Sequence, residues 1–405
     1  MLSEDAIENL VAPIIERQEK INSYVLEVIA ERIKEIGQLL PSDVYKLERL
    51  LKNGSDVRKI NKFLAEETGL SEKEIKKLIK TVAKDAYADT KPFYDYRHKS
   101  FIPFEKNIPL QNIVSSIATV TANEYVNLSN SQAIGFLIRD LKHPKRLKFQ
   151  SVQDTYKSVI DEAVQATQMG IIDYNTAMRR TMQQLVDSGV RKMYWKSGYS
   201  QRLDTAVRRN ILDGVRAINQ GVQDETGRQF GADGKEITVH ENSAPDHEPV
   251  QGHQFTNKEY EKLQSEKPFK DVLGNKFSPI KRAIGTLNCR HFTYSIIIGQ
   301  AKPNFSIEQL EEMKKRNAKG YTDENGKHYT MYECTQRQRE LETLVRKNKD
   351  GQIAARKAGD TELAKKYQAK INRYTQKYNA FSNACGLSKK KSKMTVSGYR
   401  KISTN

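Results

Sequence analysis

The segment INSYVLEVIAERIKEI, residues 21–36, sets the fold class. Its apolar residues Ile21, Val25, Val28, Ile29, Ile33 and Ile36 recur three and four apart, which puts them on one face of a helix and the charged residues on the other. The same period continues outward to about residue 225. Val114–Val126, Asp154–Gln168, Ala177–Ser188 and Leu203–Gln220 all read as helices. Ser71 and Glu74 have capping-box spacing ahead of Ile75, Leu78, Ile79 and Val82, while Pro41 and Asn53-Gly54 interrupt earlier segments, so the N-terminal helices are expected to be several and short. Between Asp89 and Pro103, Pro92 and the aromatics Phe93, Tyr94, Tyr96 and Phe101 break the period and suggest a connector.

Past residue 225 the texture changes. Gly, Pro and His become frequent, and Ile237–Val239 and Phe292–Ile298 have strand character. A short helix is expected over Ile307–Arg316, then two short strands turning at Asp323–Gly326. Two long helices follow, with Leu363, Tyr367, Tyr374, Tyr378 and Phe381 packing against Leu341, Leu344 and Val345, and Gly359-Asp360 at the hairpin turn. The heptad-like spacing of the tyrosines favours core packing over stacking on bases.

The expected fold is therefore mainly α with a small α+β module. Its divisions are a helical region 1–90, a connector 91–105, a second helical region 106–225, the α+β module 226–300, a β-hairpin plus long helix pair 301–386, and a basic flexible tail 387–405. At 405 residues the chain is long enough for two or three domains.

Composition narrows the function. With 68 Lys and Arg against 50 Asp and Glu, the net charge is +18, which favours a polyanionic partner. Residues 301–405 hold 24 of those cations against 11 acids, so the excess is concentrated at the C-terminal end. Lys389, Lys390, Lys391 and Lys393 are the DNA-contact candidates there. Lys314–Arg316 and Lys365-Lys366 read as solvated helix faces, the competing reading being contact with phosphates without reading sequence. No apolar run reaches the length of a bilayer span, and the acidic start Met1-Leu-Ser-Glu-Asp is unlike a secretory signal, so synthesis in the cytoplasm without membrane insertion is expected. Three scattered cysteines exclude a disulfide scaffold and are expected to be reduced thiols.

The chemistry is concentrated in one place. Of the seven His and three Cys, five fall within residues 240–291: His240, His247, His253, Cys289 and His291. Imidazole and thiolate are zinc donors, and Cys289 and His291 at i and i+2 can share one side of a strand. No close cysteine pair of the usual zinc modules is present, so the sequence requires no cofactor. The competing reading is a set of imidazoles hydrogen-bonded around a small irregular core, with Cys289 buried. Asp246-His247 with Asn288 and His291 has the residue types of a His-Asn-His nuclease but not its spacing, and a Cys289 nucleophile with a histidine base has no positive support. Neither a phosphate-cradling Gly-rich loop nor a nucleophile elbow occurs.

The stretch from His240 through Pro245, His247, Gln251 and Gly252 to Phe255, followed by Gly285 and Asn288-Cys289-Arg290-His291, resembles the second family of phage minor capsid proteins. Asn325-Gly326-Lys327, Tyr329-Thr330, Tyr332 and the run Gln336–Glu342 are similar to that family too. Pro245, Gln251, Gly252, Asn288 and Arg290 support the motif. The chain departs from it at Asn242 and Ala244, where Gly and Arg would be expected, and at Val250 and Leu287, where Trp would be. The resemblance implies a structural, non-enzymatic component of the virion, inside the head near the portal and assembled in the host cytoplasm. Its implied partners are the portal protein, a major capsid or scaffolding protein, and packaged double-stranded DNA. The alternatives are a metal-dependent hydrolase or nuclease using His240, His247, Cys289 and His291, and a soluble DNA-binding regulator.

Overall fold

A computed structural model describes residues 4–38, 54–128, 133–139, 146–169, 174–194, 198–263, 265, 267–286 and 289–404. It is mostly helical. Two helices of 34 residues each, α1 (Glu4–Gly37) and α2 (Ser55–Ala88), open the chain. The α1 face read from the sequence is the buried one: Ile21, Val25, Ile29, Ile33 and Ile36 are all nearly inaccessible. The expected short helices are thus replaced by long ones. Ser71 starts no helix. It lies buried inside α2, and Glu74 accepts from Arg17 Nε (2.9 Å) and Nη2 (2.8 Å) of α1 instead of capping. Interhelical pairing and burial outweigh the local capping signal. Pro41 and Asn53 lie outside the described residues.

The connector carries its own helix, α3 (Lys91–Tyr96), and packs tightly. Tyr87 stacks on Phe101 at 4.7 Å, while Phe93 and Tyr94 meet Phe230 at 4.5 and 4.8 Å. Helices α4 (Ile108–Leu128), α5 (Val152–Met169), α6 (Tyr174–Ser188) and α7 (Leu203–Phe230) match the expected spans. The region read as helical throughout also contains a sheet. Strands β1 (Ile134–Arg139), β2 (Leu147–Ser151), β3 (Arg191–Tyr194) and β4 (Tyr199–Arg202) pair antiparallel in the order β2-β1-β3-β4. Helix α7 runs through the core, with Val207, Ile211, Val215, Ile218 and Val222 buried. At Gly214 a Cβ would lie 2.5 Å from Thr121 Oγ1, so glycine permits the close approach of α4.

Beyond α7 comes a second antiparallel sheet, β6-β5-β9, of strands β5 (Gly234–Ile237), β6 (Gln254–Thr256) and β9 (Thr293–Ile296). The short helix α8 (Asn257–Tyr260) and the hairpin β7 (Phe269–Lys270) with β8 (Lys276–Phe277) lie between its strands. Helix α7 supports this sheet: Thr293 N donates to Gln220 Oε1 at 2.8 Å. Helix α9 (Ile307–Lys319) and the two-stranded β10 (Tyr321–Thr322) and β11 (His328–Tyr329) follow as expected. The long pair is α10 (Met331–Lys357) and α11 (Thr361–Ala384), with Gly359 at φ +77° in the turn and Asp360 capping α11 through Leu363 N at 2.9 Å. Leu341, Val345, Ile371 and Tyr378 are buried in one cluster, as the seam implied. Ala354, Ala355, Ala364 and Tyr367 belong to the main core, so this pair is fused to the N-terminal helices.

The tail is the clearest correction. Residues expected to be flexible lie along α10 and α11, with Met394 and Val396 buried. Arg346 donates to the Lys393 carbonyl at 2.5 Å, Lys349 to the Met394 carbonyl at 2.7 Å and Gln352 to the Arg400 carbonyl at 2.7 Å. Two apolar anchors with backbone acceptors outweigh the high charge.

Charged groups are buried where α1, α7 and α10 meet. Arg346 faces Asp204 at 3.2 Å and Glu19 at 3.7 Å, and Arg202 faces Asp350 at 3.4 Å. Among the described residues, no helix is long and apolar enough to cross a membrane.

Candidate metal centre and its cleft

The site begins where β5 ends. After Ile237 the chain passes His240 and turns twice, with His247 N and Glu248 N both donating to the Ala244 carbonyl at 2.9 Å. Asn242 adopts φ +59°, a left-handed conformation that Asn tolerates better than most residues, so it serves where the resemblance implied glycine. Gly252 closes the turn at φ +76°, its N–H donating to Ile237 O at 2.8 Å; a Cβ there would meet Leu310 at 2.7 Å and Val239 at 2.9 Å. Val250 is buried in the small apolar cluster of Ile237, Phe255, Leu263, Phe269 and Ile280, at a position where the resemblance implied tryptophan.

These turns bring three of the five residues together. His247 Nδ1 lies 3.2 Å from Cys289 Sγ, and His291 Nδ1 lies 3.4 Å from the same sulfur. All three side chains are buried, and their donor atoms lie within 4.8 Å of one another. Each imidazole is oriented from behind. His247 Nε2 is 2.9 Å from the Arg282 carbonyl, which can only accept, so Nε2 carries a proton and Nδ1 faces the sulfur. His291 Nε2 contacts Gln251 Oε1 at 3.1 Å, which fixes the same tautomer. Hydrogen bonding of the distal nitrogen to an oxygen is how metal-binding histidines are usually held. Tetrahedral zinc with ordinary bond lengths would space its sulfur and nitrogen donors roughly 3.5 Å apart, close to both observed separations.

Electrostatics act differently on the three donors. Burial lowers the affinity of His247 for its proton, but the Cys289 sulfur, the Arg282 carbonyl and Asp246 outweigh it and raise the pKa. Burial pushes the Cys289 thiol up, yet His247 and nearby backbone groups bring it below its ordinary value. His291 is pushed down to about 2 by burial, then by His240, His247, Arg282 and Arg216, and stays neutral. A thiolate-prone cysteine beside a neutral imidazole is a donor set suited to a metal such as zinc.

The other candidates stand apart. The His240 ring packs against His291 at 4.1 Å, tilted by 36°, with its Nδ1 2.9 Å from the Glu241 carbonyl, outside the donor trio. His253 is not in the cluster: its Nδ1 meets Asp271 Oδ2 at 2.8 Å and its ring packs on Phe277. That contact pins a loop in which Asp271 also accepts from Leu273 N and Asn275 N. Pro245 is exposed in the turn, and Asn288 lies outside the described residues. Lys389 and Lys391 are exposed, whereas Lys390 and Lys393 are half-buried and their backbones are tied to Tyr378 and Arg346.

Sequence reasoning named Arg290, Tyr332, Gln336 and Arg339 only as parts of the family resemblance and did not place them beside the trio. The trio lines a cleft of about 200 Å³ together with Arg282, Arg290, Tyr332, Gln336 and Arg339. Arg282 is held by Asp246 through bonds of 2.8 and 2.6 Å. Tyr332, Gln336 and Arg339 are spaced four and three apart on α10, a face visible in the sequence once a reason to look for it exists.

A mostly helical body carrying a small His/Cys sheet module and a basic C-terminal helix pair is the arrangement described. The chain belongs to the family of phage minor capsid protein 2, which it matches over residues 2–383. No curated protein and no solved structure matches it. Membership of a capsid family argues against an enzymatic role, while the trio leaves room for metal chemistry.

Proposed function

We propose that this chain is a structural minor head protein of a tailed bacteriophage, held inside the head beside the portal and touching packaged double-stranded DNA without reading its sequence. The match to a minor capsid family over residues 2–383 carries this reading. The net charge of +18 and its C-terminal concentration support the DNA contact. Portal protein is the main partner, with major capsid or scaffolding protein the next candidates, and assembly takes place in the host cytoplasm. The long helices supply protein contacts, the 226–300 segment acts as a rigid base, and Lys389 and Lys391 meet phosphates. Zinc on His247, Cys289 and His291 would tie the turn after β5 to the segment before β9, with His240 packed beside it and His253 a separate loop clamp.

Cross-linking mass spectrometry on intact particles tests this. Cross-links from this chain to the portal are the expected result, and particles that lack the chain would defeat the reading. A second reading, a metal-dependent hydrolase or nuclease, is favoured by a donor trio that opens onto a cleft. It requires phosphodiester cleavage by the zinc-loaded protein that disappears in His247→Ala.

A further inference from the structure

We propose that the cleft is a binding site for a phosphate-class oxyanion, which places one oxygen on the metal and the others on the arginines that line it. The inference rests on the reading that His247, Cys289 and His291 hold a metal. Among the described residues the trio supplies three donors, and tetrahedral zinc takes four, so one position is left for a ligand. Structural zinc sites close that position with protein; here the trio lines a solvent-connected cleft.

The character of the cleft selects the ligand. Arg282, Arg290 and Arg339 line it, and no aspartate or glutamate does. Asn242 and Gln336 add side-chain amides with N–H donors, while the Thr335 hydroxyl already donates to the Tyr332 carbonyl at 2.7 Å. Asp246 lies behind Arg282 and engages its Nε and Nη2, which fixes the guanidinium plane; Nη1 has no partner among the described residues. A dication with one thiolate keeps a positive charge, so an anion gains from both the metal and the guanidiniums. A volume of about 200 Å³ suits one phosphate group with a little water and is small for an organic ligand. Inorganic phosphate and a backbone phosphate of DNA offer the same oxygens.

The test uses the full chain loaded with zinc or cobalt, with metal content measured first. Inorganic phosphate is titrated by calorimetry, and the visible bands of the cobalt form are followed in parallel. One phosphate per metal, a shift of the cobalt bands, and at least tenfold weaker binding in both Arg339→Gln and Arg290→Gln at unchanged metal content are expected. Competition with a short duplex then separates the sources: displacement of phosphate marks the DNA backbone as the ligand, and retention marks the free anion. A stoichiometric metal with no phosphate binding, or binding unchanged in both arginine variants, overturns this proposal and leaves the metal reading intact. Failure to take up metal at all overturns both.

Discussion

Replacing Glu19 by Gln is expected to stabilise the protein at alkaline pH and to do little near pH 5. Glu19 sits between α1 and α10 with its side chain only 12% exposed, 3.7 Å from Arg346. Burial, helped by Asp204 and Asp350 and opposed by Arg346 and Arg202, pushes its pKa up to about 8 from an ordinary 4.5. With Glu19 protonated, two arginines face two aspartates; ionising it adds an uncompensated charge, which Lys349 nearby relieves only in part.

The sign follows from linkage. Between about pH 4.5 and 8 the folded chain keeps a proton that the unfolded chain has released, so the stability from this group is complete below that window and is lost as pH rises through it. At about 1.4 kcal/mol per unit the ceiling is roughly 5 kcal/mol, and relaxation and water around the carboxyl reduce it to about 2–4 kcal/mol. Asp350, pushed up to about 6, acts in the same direction at lower pH, and Asp204, held down at about 2, acts oppositely in strong acid. Both remain in the variant. Urea unfolding followed by circular dichroism at pH 5 and pH 9 measures the difference: the variant should lie within about 1 kcal/mol of wild type at pH 5 and be more stable by about 2–4 kcal/mol at pH 9. A gap equal at the two pH values, or a variant less stable at pH 9, would refute the reasoning.

His253→Ala should keep the full zinc content and lower stability by about 1–2 kcal/mol, since it removes one hydrogen bond to Asp271, which keeps those from Leu273 and Asn275, together with the ring packing on Phe277; zinc lost from this variant would return His253 to the donor set. Gly252→Ala should cost at least about 2 kcal/mol in thermal unfolding, because φ +76° and the contacts with Leu310 and Val239 leave no room for a methyl group, and a neutral result would show that the turn rearranges easily. The double variant Lys389→Ala, Lys391→Ala should reduce the salt dependence of duplex binding by about 2 in log–log slope and weaken all sequences alike; an unchanged slope would remove these lysines from the contact.

How far the sequence could be read depended on where each signal comes from. The α1 face and the α10–α11 seam were legible because Ile21–Ile36 and Leu363–Phe381 repeat one period over several turns and are buried accordingly. The sheet of β1–β4 was not, because its strands are four to six residues long and β1 pairs with β3 more than fifty residues away. Ser71 misled through a local pattern that tertiary pairing of Glu74 with Arg17 overrides. In the site, composition found the His and Cys cluster but could not separate His253 from the trio, since proximity in sequence places His253 as near to His247 as His240 is. Arg339 came from a helix about fifty residues beyond Cys289, and only the packing of α10 against the turn brings it to the cleft.

The trio makes more physical sense loaded than empty. Burial opposes ionisation of both Cys289 and His247, while each draws the other's pKa toward the charged form, so the two effects largely offset one another. His291 contributes no charge to that balance. The sheet it belongs to has strands of three or four residues over a cluster of six buried apolar side chains, little for the span from Gly234 to Ile296. A metal would turn the same three groups into a cross-link between segments 42 residues apart, holding the part of the cleft lining that they form. The geometry that stabilises the module and the geometry that presents a cation to an anion are then one arrangement, so metal removal should loosen the sheet and abolish phosphate binding together, while Arg339→Gln should weaken only the second.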